Sequence, residues 1–270
     1  MNNLSQHRGF AMRLLNARTN GAIWGLALLI LAAVAYDFAR PPAVWSADTG
    51  SVTAQSGKQE GEIDRFDMKV RDDFFAGMMG DTARLDRGMK FCEEILAQNP
   101  RHTEALVWHG GGLLTRAAQA YTKNDSALGD RLWKTGIEEM NNAVIFEPEN
   151  MGVKIGRSAT IIGLAQSGWD PSDAQSRALL ESALLDYEKV YAWQKPHFDR
   201  VPDHNRGELL FGLASGWSIL GNDKKAREYL TLILKLCKDT SYELEARRWI
   251  ARKPPVVIQH DCTGCHVRSD

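Results

Sequence analysis

Residues 206–236, RGELLFGLASGWSILGNDKKAREYLTLILKL, decide the fold. Leu210, Leu213, Ala214 and Trp217 recur at spacings of three and four, which places them on one face of a helix. Gly221 follows, a residue that can take the left-handed conformation ending a helix. Ala226, Leu230 and Ile233 then resume the helical spacing. The stretch therefore predicts two helices joined by a tight turn, each too short to hide its apolar face alone.

The same plan recurs towards the N-terminus. Gly88, Cys92, Ile95 and Pro100 match Gly136, Met140, Ala143 and Pro148 at the same offsets, and Ala183, Tyr187 and Val190 keep the offsets without the Pro. Each set follows another apolar helical segment: 66–79, 103–121, 151–167 and 206–220. No alternating strand pattern appears between 62 and 252. These segments resemble the tetratricopeptide-repeat (TPR) family, whose helix pairs carry small residues where they touch and a Pro at the repeat end. The resemblance covers 66–252 and implies an all-α superhelix of about four helix pairs. It departs from the 34-residue family period at 117–131 and 167–178, which are expected to be long connections. Thr240 with Glu243 forms a capping box, so 241–252 is expected to be a further helix covering the last pair. Asp170-Pro171 is expected to open the helix that follows it.

The resemblance also implies a groove lined by the first helix of each pair, with Val70, Val107, Gly111, Ile155, Ala159, Phe211 and Ser215 exposed in it. Such a groove is small and apolar and suits a hydrophobic ligand or partner segment. A tightly wound stack with the groove partly closed is the alternative.

Outside the repeats the chain changes character. Arg8, Arg13 and Arg18 precede an uncharged apolar run at 21–36, with no acidic residue before Asp37. A basic flank followed by an apolar run is the layout of an export signal, or of a single membrane anchor if it is not cleaved. Residues 1–40 are read as that element and 41–61, rich in Pro, Ala, Ser, Thr and Gly, as a flexible tether. The repeat domain, 62–252, and the tail, 253–270, then lie outside the cytoplasm, in the periplasm.

Pro254-Pro255 stops the last helix, and the tail carries Cys262-Thr263-Gly264-Cys265-His266. C-x-x-C-H is the attachment pattern of c-type haem. Two thiols at that spacing can each form a thioether with a vinyl group, and the adjoining imidazole can ligate the iron. Cys262 and Cys265 are thus candidate attachment points for one covalent haem, and His266 the candidate proximal ligand. C-x-x-C also suits a redox dithiol or half of a zinc site, with His260 as a further ligand. Only four residues follow His266, so the tail cannot wrap a haem by itself, and the ring is expected to lie against the repeats or a partner. His197 and His204, in an irregular connection at 195–205, are the candidates for a distal ligand.

Other residues point to packing. His109, in His109-Gly110-Gly111-Gly112, is read as a core histidine beside a close helix contact. Met68, Met78, Met79, Met89 and Met140 are read as core fillers, Cys92 and Cys237 as buried free thiols, and Asp72-Asp73 and Glu93-Glu94 as solvated faces. No catalytic triad or phosphate loop stands out.

Formal net charge is −1. Residues 1–47 hold four Arg and one Asp, so 29 basic and 33 acidic residues remain beyond them. That balance argues against a nucleic-acid partner. The functional expectation is an electron carrier or haem-bearing docking subunit of a redox or respiratory assembly, rather than a catalyst. The rival readings are a cell-envelope scaffold gripping a protein partner, with the tail as a zinc clip, and a haem peroxidase.

Overall fold

The computed structural model describes residues 65–251. The expected signal or anchor, the tether and the haem-motif tail lie outside the described residues. Among the described residues there are nine α-helices and no strand, so the domain is all-α. In chain order they are α1 (Phe66–Met78), α2 (Thr82–Gln98), α3 (Thr103–Thr122), α4 (Ser126–Phe146), α5 (Met151–Gln166), α6 (Ala174–Gln194), α7 (Asp203–Ile219), α8 (Asp223–Leu236) and α9 (Ser241–Ala251). A 3-10 segment, Lys195–Arg200, joins α6 to α7.

Local chemistry sets these boundaries. Backbone N–H groups of the first turns donate to Asp81, His102, Asp125, Asn150, Asp173 and Asn222, which cap α2, α3, α4, α5, α6 and α8. Each such cap supplies about 1 kcal/mol. The first helix of each pair ends on a residue with positive φ: Gly80, Asn124, Gly168 and Gly221. The second helices α2 and α4 run into Asn99-Pro100 and Glu147-Pro148, where proline cannot continue the ladder. Glu243 N–H donates to Thr240 at the start of α9, while the Glu243 carboxylate reaches back one residue beyond the expected box and accepts from Asp239 N–H. The cap of α6 is Asp173 and not Asp170, because Trp169 and Pro171 are buried before the helix begins.

Helices α1–α2, α3–α4, α5–α6 and α7–α8 pack as hairpins. The first helices also touch in succession: α1 on α3, α3 on α5, and α5 on α7. In the α3–α4 pair, a Cβ built on Gly110 would stand 2.7 Å from the carbonyl of Gly136, and one on Gly136 equally close to that of Gly110. Only two hydrogens at these positions allow that approach. Helix packing thus accounts for Gly110 and, through Met89 and Phe74, for Gly112.

Two expectations about connections change. Residues 117–131 are not a long loop; α3 and α4 extend to 20 and 21 residues and leave only 123–125 between them. Tyr121 closes this turn, its ring flush on Gly129 and its hydroxyl donating to Asp130 at 2.8 Å. The segment after α5 is folded around Trp169, whose ring meets Trp133 at 5.5 Å.

The open groove is also corrected. Val70, Val107, Gly111, Ile155, Ala159, Phe211 and Ser215 are all buried, Ile155 completely. Inner helices that touch one another leave no room for an exposed apolar lining. Met78, Met89 and Met140 fill the core, whereas Met68 and Met79 are exposed.

Candidate functional site

The connection between α6 and α7 is more ordered than its sequence suggests. Pro202, at φ −53°, starts α7 directly, so His204 stands in the first turn of a helix instead of a loop. His197 lies on the exposed 3-10 segment with a non-helical backbone, φ −131° and ψ 22°. Trp193 is partly exposed beside it, and Phe198 is buried edge-on against Tyr191.

His204, Gly207 and Glu208 share one face of α7, at spacings of three and four. Tyr242 of α9 lies across that face: a Cβ on Gly207 would overlap its ring. From there the Tyr242 hydroxyl donates to Glu208 Oε1 at 2.6 Å and meets His204 Nδ1 at 3.2 Å. Glu208 and Tyr242 are buried and His204 half-buried. Further along, Trp249 of α9 meets Phe211 of α7 at 5.5 Å, while the body of the capping helix packs on α8. At this contact a half-buried imidazole meets a phenol that is bonded in turn to a buried carboxylate. Neither Tyr242 nor Glu208 was singled out in the sequence; Gly207, placed between two polar residues of one helical face, is the signal that marks where the capping helix lands.

Other polar clusters tie helices together. Asp186 of α6 pairs with Lys154 at 3.2 Å and Arg157 at 3.1 Å, all three buried, and Arg157 also donates to Asn141 and Ser182. Burial pushes the Arg157 guanidinium below its ordinary value despite Asp186. Glu188 Oε1 accepts from Trp217, Lys225 and Tyr229. Burial raises the Tyr229 phenol, and Glu188 adds to the effect.

His109 is not a plain core residue. It lies between Glu139 at 2.7 Å and Glu93 at 3.6 Å and links α3 to α4 and α2. Asp73 is not simply solvated either. Burial raises its carboxyl, but hydrogen bonds and charge from Arg87 and Arg84 outweigh this and hold it below the usual value.

Cys92 and Cys237 are buried free thiols. Burial pushes Cys237 up to about 11 and Cys92 higher still, so neither is a nucleophile at neutral pH. Among the described residues no group of three or more His, Cys, Asp or Glu is placed to hold a metal ion, and no helix is long and apolar enough to cross a membrane. The apolar run at 21–36 and Cys262, Cys265 and His266 lie outside the described residues; α9 ends at Ala251, eleven residues before Cys262.

Compared with protein-family models, with curated proteins and with solved structures, the chain matches none.

Proposed function

We propose that this chain is an exported TPR-like helical-repeat protein carrying one covalent c-type haem, which it holds for electron transfer or for docking within a redox assembly. The observation that carries the reading is Cys262-Thr263-Gly264-Cys265-His266, set on a short tail behind a helical stack and downstream of a basic-then-apolar leader. Cys262 and Cys265 form the thioethers, and His266 is the proximal ligand. When bound, the haem supplies a one-electron couple.

The chain's own residues have the matching donor chemistry. The tail provides two thiols and an imidazole, and the domain provides a half-buried imidazole on α7 within two helical turns of aromatic side chains from α7 and α9. His197 and His204 are the distal candidates. The repeat reading draws support from the hairpin pairing and from the small residues at the helix contacts, Gly110 and Gly136 among them. The protein partner and the inner-membrane anchorage through 21–36 belong to the same proposal.

Intact mass of the protein, produced where c-type haem is matured, tests this directly. The expected mass exceeds that of the chain by one haem, and Cys262→Ala lacks the stable two-thioether product. A haem-free mass with stoichiometric zinc would replace the proposal with a zinc-clipped scaffold.

A further inference from the structure

We infer that residues 195–201 form a latch that opens locally, held shut by Phe198 and driven open by the partnerless amides of Gln194 and Asn205 buried at its two ends. The inference is independent of the haem reading and concerns the α6–α7 hairpin alone.

Helix register brings those amides together. A Cβ on Gly216 of α7 would meet Leu184 of α6 at 2.5 Å, and one on Gly212 would meet Tyr187 at 3.0 Å. One number rises as the other falls, so the two helices run antiparallel. Gln194 stands seven residues after Tyr187, and Asn205 seven residues before Gly212. Seven residues are close to two helical turns, which returns each side chain to the face its helix presents to the other. Both amides therefore lie at the closed end of the hairpin, where Lys195–Arg200 crosses from α6 to α7.

Their burial is uncompensated. Six buried side-chain nitrogen or oxygen atoms among the described residues have no hydrogen-bond partner, and four are at this end: Gln194 Nε2 and Oε1, Asn205 Nδ2 and Arg206 Nε. Gln194 is 5% exposed and Asn205 4%. An amide withdrawn from water without a partner opposes the closed form.

The corner itself is lightly held. Phe198 is buried edge-on to Tyr191, 5.1 Å between ring centres, and Val201 is half-buried, while the rest of 195–203 is exposed. His197 interrupts the helical backbone. Val201 N–H donates to the Phe198 carbonyl at 3.3 Å, and Arg206 Nη1 donates to the Asp199 carbonyl at 3.3 Å, both long for such bonds. Burying one phenylalanine favours closure by the same order of free energy as unpaired amides disfavour it, so the folded protein populates both forms. Opening gives Gln194 and Asn205 to water and uncovers Tyr191, whose ring meets Tyr229 of α8 at 6.4 Å.

Hydrogen exchange of the full chain at low urea concentrations tests this, read at the backbone amides of Lys195 and Val201 and across α6 and α7. The corner is expected to exchange ahead of both helices, through an opening that urea does not accelerate, because little surface is exposed. Gln194→Met keeps the volume and removes the amide, and should slow corner exchange at least about tenfold. Phe198→Ala should speed it at least about tenfold, with α1 to α4 keeping their protection. Unchanged or faster corner exchange in Gln194→Met would mean that the closed form already satisfies the amide, through a bound water for instance, and would overturn the latch. A wild-type corner that exchanges only with global unfolding would overturn it as well, and both readings stand even if Phe198→Ala does not fold.

Discussion

At Asp186 the balance of charge is uneven, and that imbalance decides what each substitution does. Two buried cations, Lys154 and Arg157, lean on one buried carboxylate, and Lys189 approaches the same carboxylate from the surface at 3.7 Å. Asp186→Asn leaves both buried cations without a countercharge, which costs about 3–5 kcal/mol. Lys154→Met leaves a balanced Arg157–Asp186 pair and fills the same space with apolar atoms, so it should change stability by less than about 1.5 kcal/mol. Urea midpoints of the two variants check this, and equal losses would show that the cluster is not governed by charge pairing. None of this was legible in the sequence. Lys154 and Arg157 sit in a helix of otherwise small and apolar residues, and only the antiparallel approach of α6 brings a carboxylate 32 residues away into contact. His204 shows a second kind of limit. Its residue type marked it as a ligand candidate, but whether it lay in a loop or a helix depended on Pro202 starting α7 without an intervening turn.

Helix pairs rest on close contacts that sequence spacing did reveal, and the glycine run of α3 separates two roles for one residue type. A methyl group on Gly110 would meet the Gly136 carbonyl at 2.7 Å, and backbone cannot swing aside. A methyl group on Gly111 would meet only the end of Met140, at 3.5 Å, an ordinary contact. Overpacking at Gly110→Ala therefore costs about 1–3 kcal/mol. Gly111→Ala instead gains up to about 1 kcal/mol from helix propensity. Opposite shifts of the thermal midpoint are the expected result, and a loss in both would mean the pair is looser than its spacing implies. Small residues at matching offsets were readable because contact geometry restricts them strongly. Helix length was not: Thr122 to Ser126 holds a polar run that looks like part of a loop, and a single positive φ at Asn124 is enough to turn the chain between two long helices.

Across the described domain, each pair packs closely on itself and also leans on its neighbours, because the first helices form a continuous inner row from α1 to α7. That row explains why the positions expected to line a groove are buried, and it makes the end of the row the vulnerable point. Helix α9 covers it, laying Tyr242 on Gly207 and Trp249 on Phe211 and burying Ala246. Ending the chain after Asp239 exposes Phe211 and deprives Glu208 and His204 of their phenol partner. In a stack held by nearest-neighbour contacts the damage should spread from that end. Hydrogen exchange is the measurement that resolves it: α7 and α8 should lose protection by at least about tenfold, corresponding to about 1.4 kcal/mol of local stability, while α1 to α4 stay close to the intact protein. Uniform loss from α1 to α8 would instead mean a single cooperative core. In that case α9 would contribute to global stability, and the seat of His204 could not be loosened without unfolding the entire row.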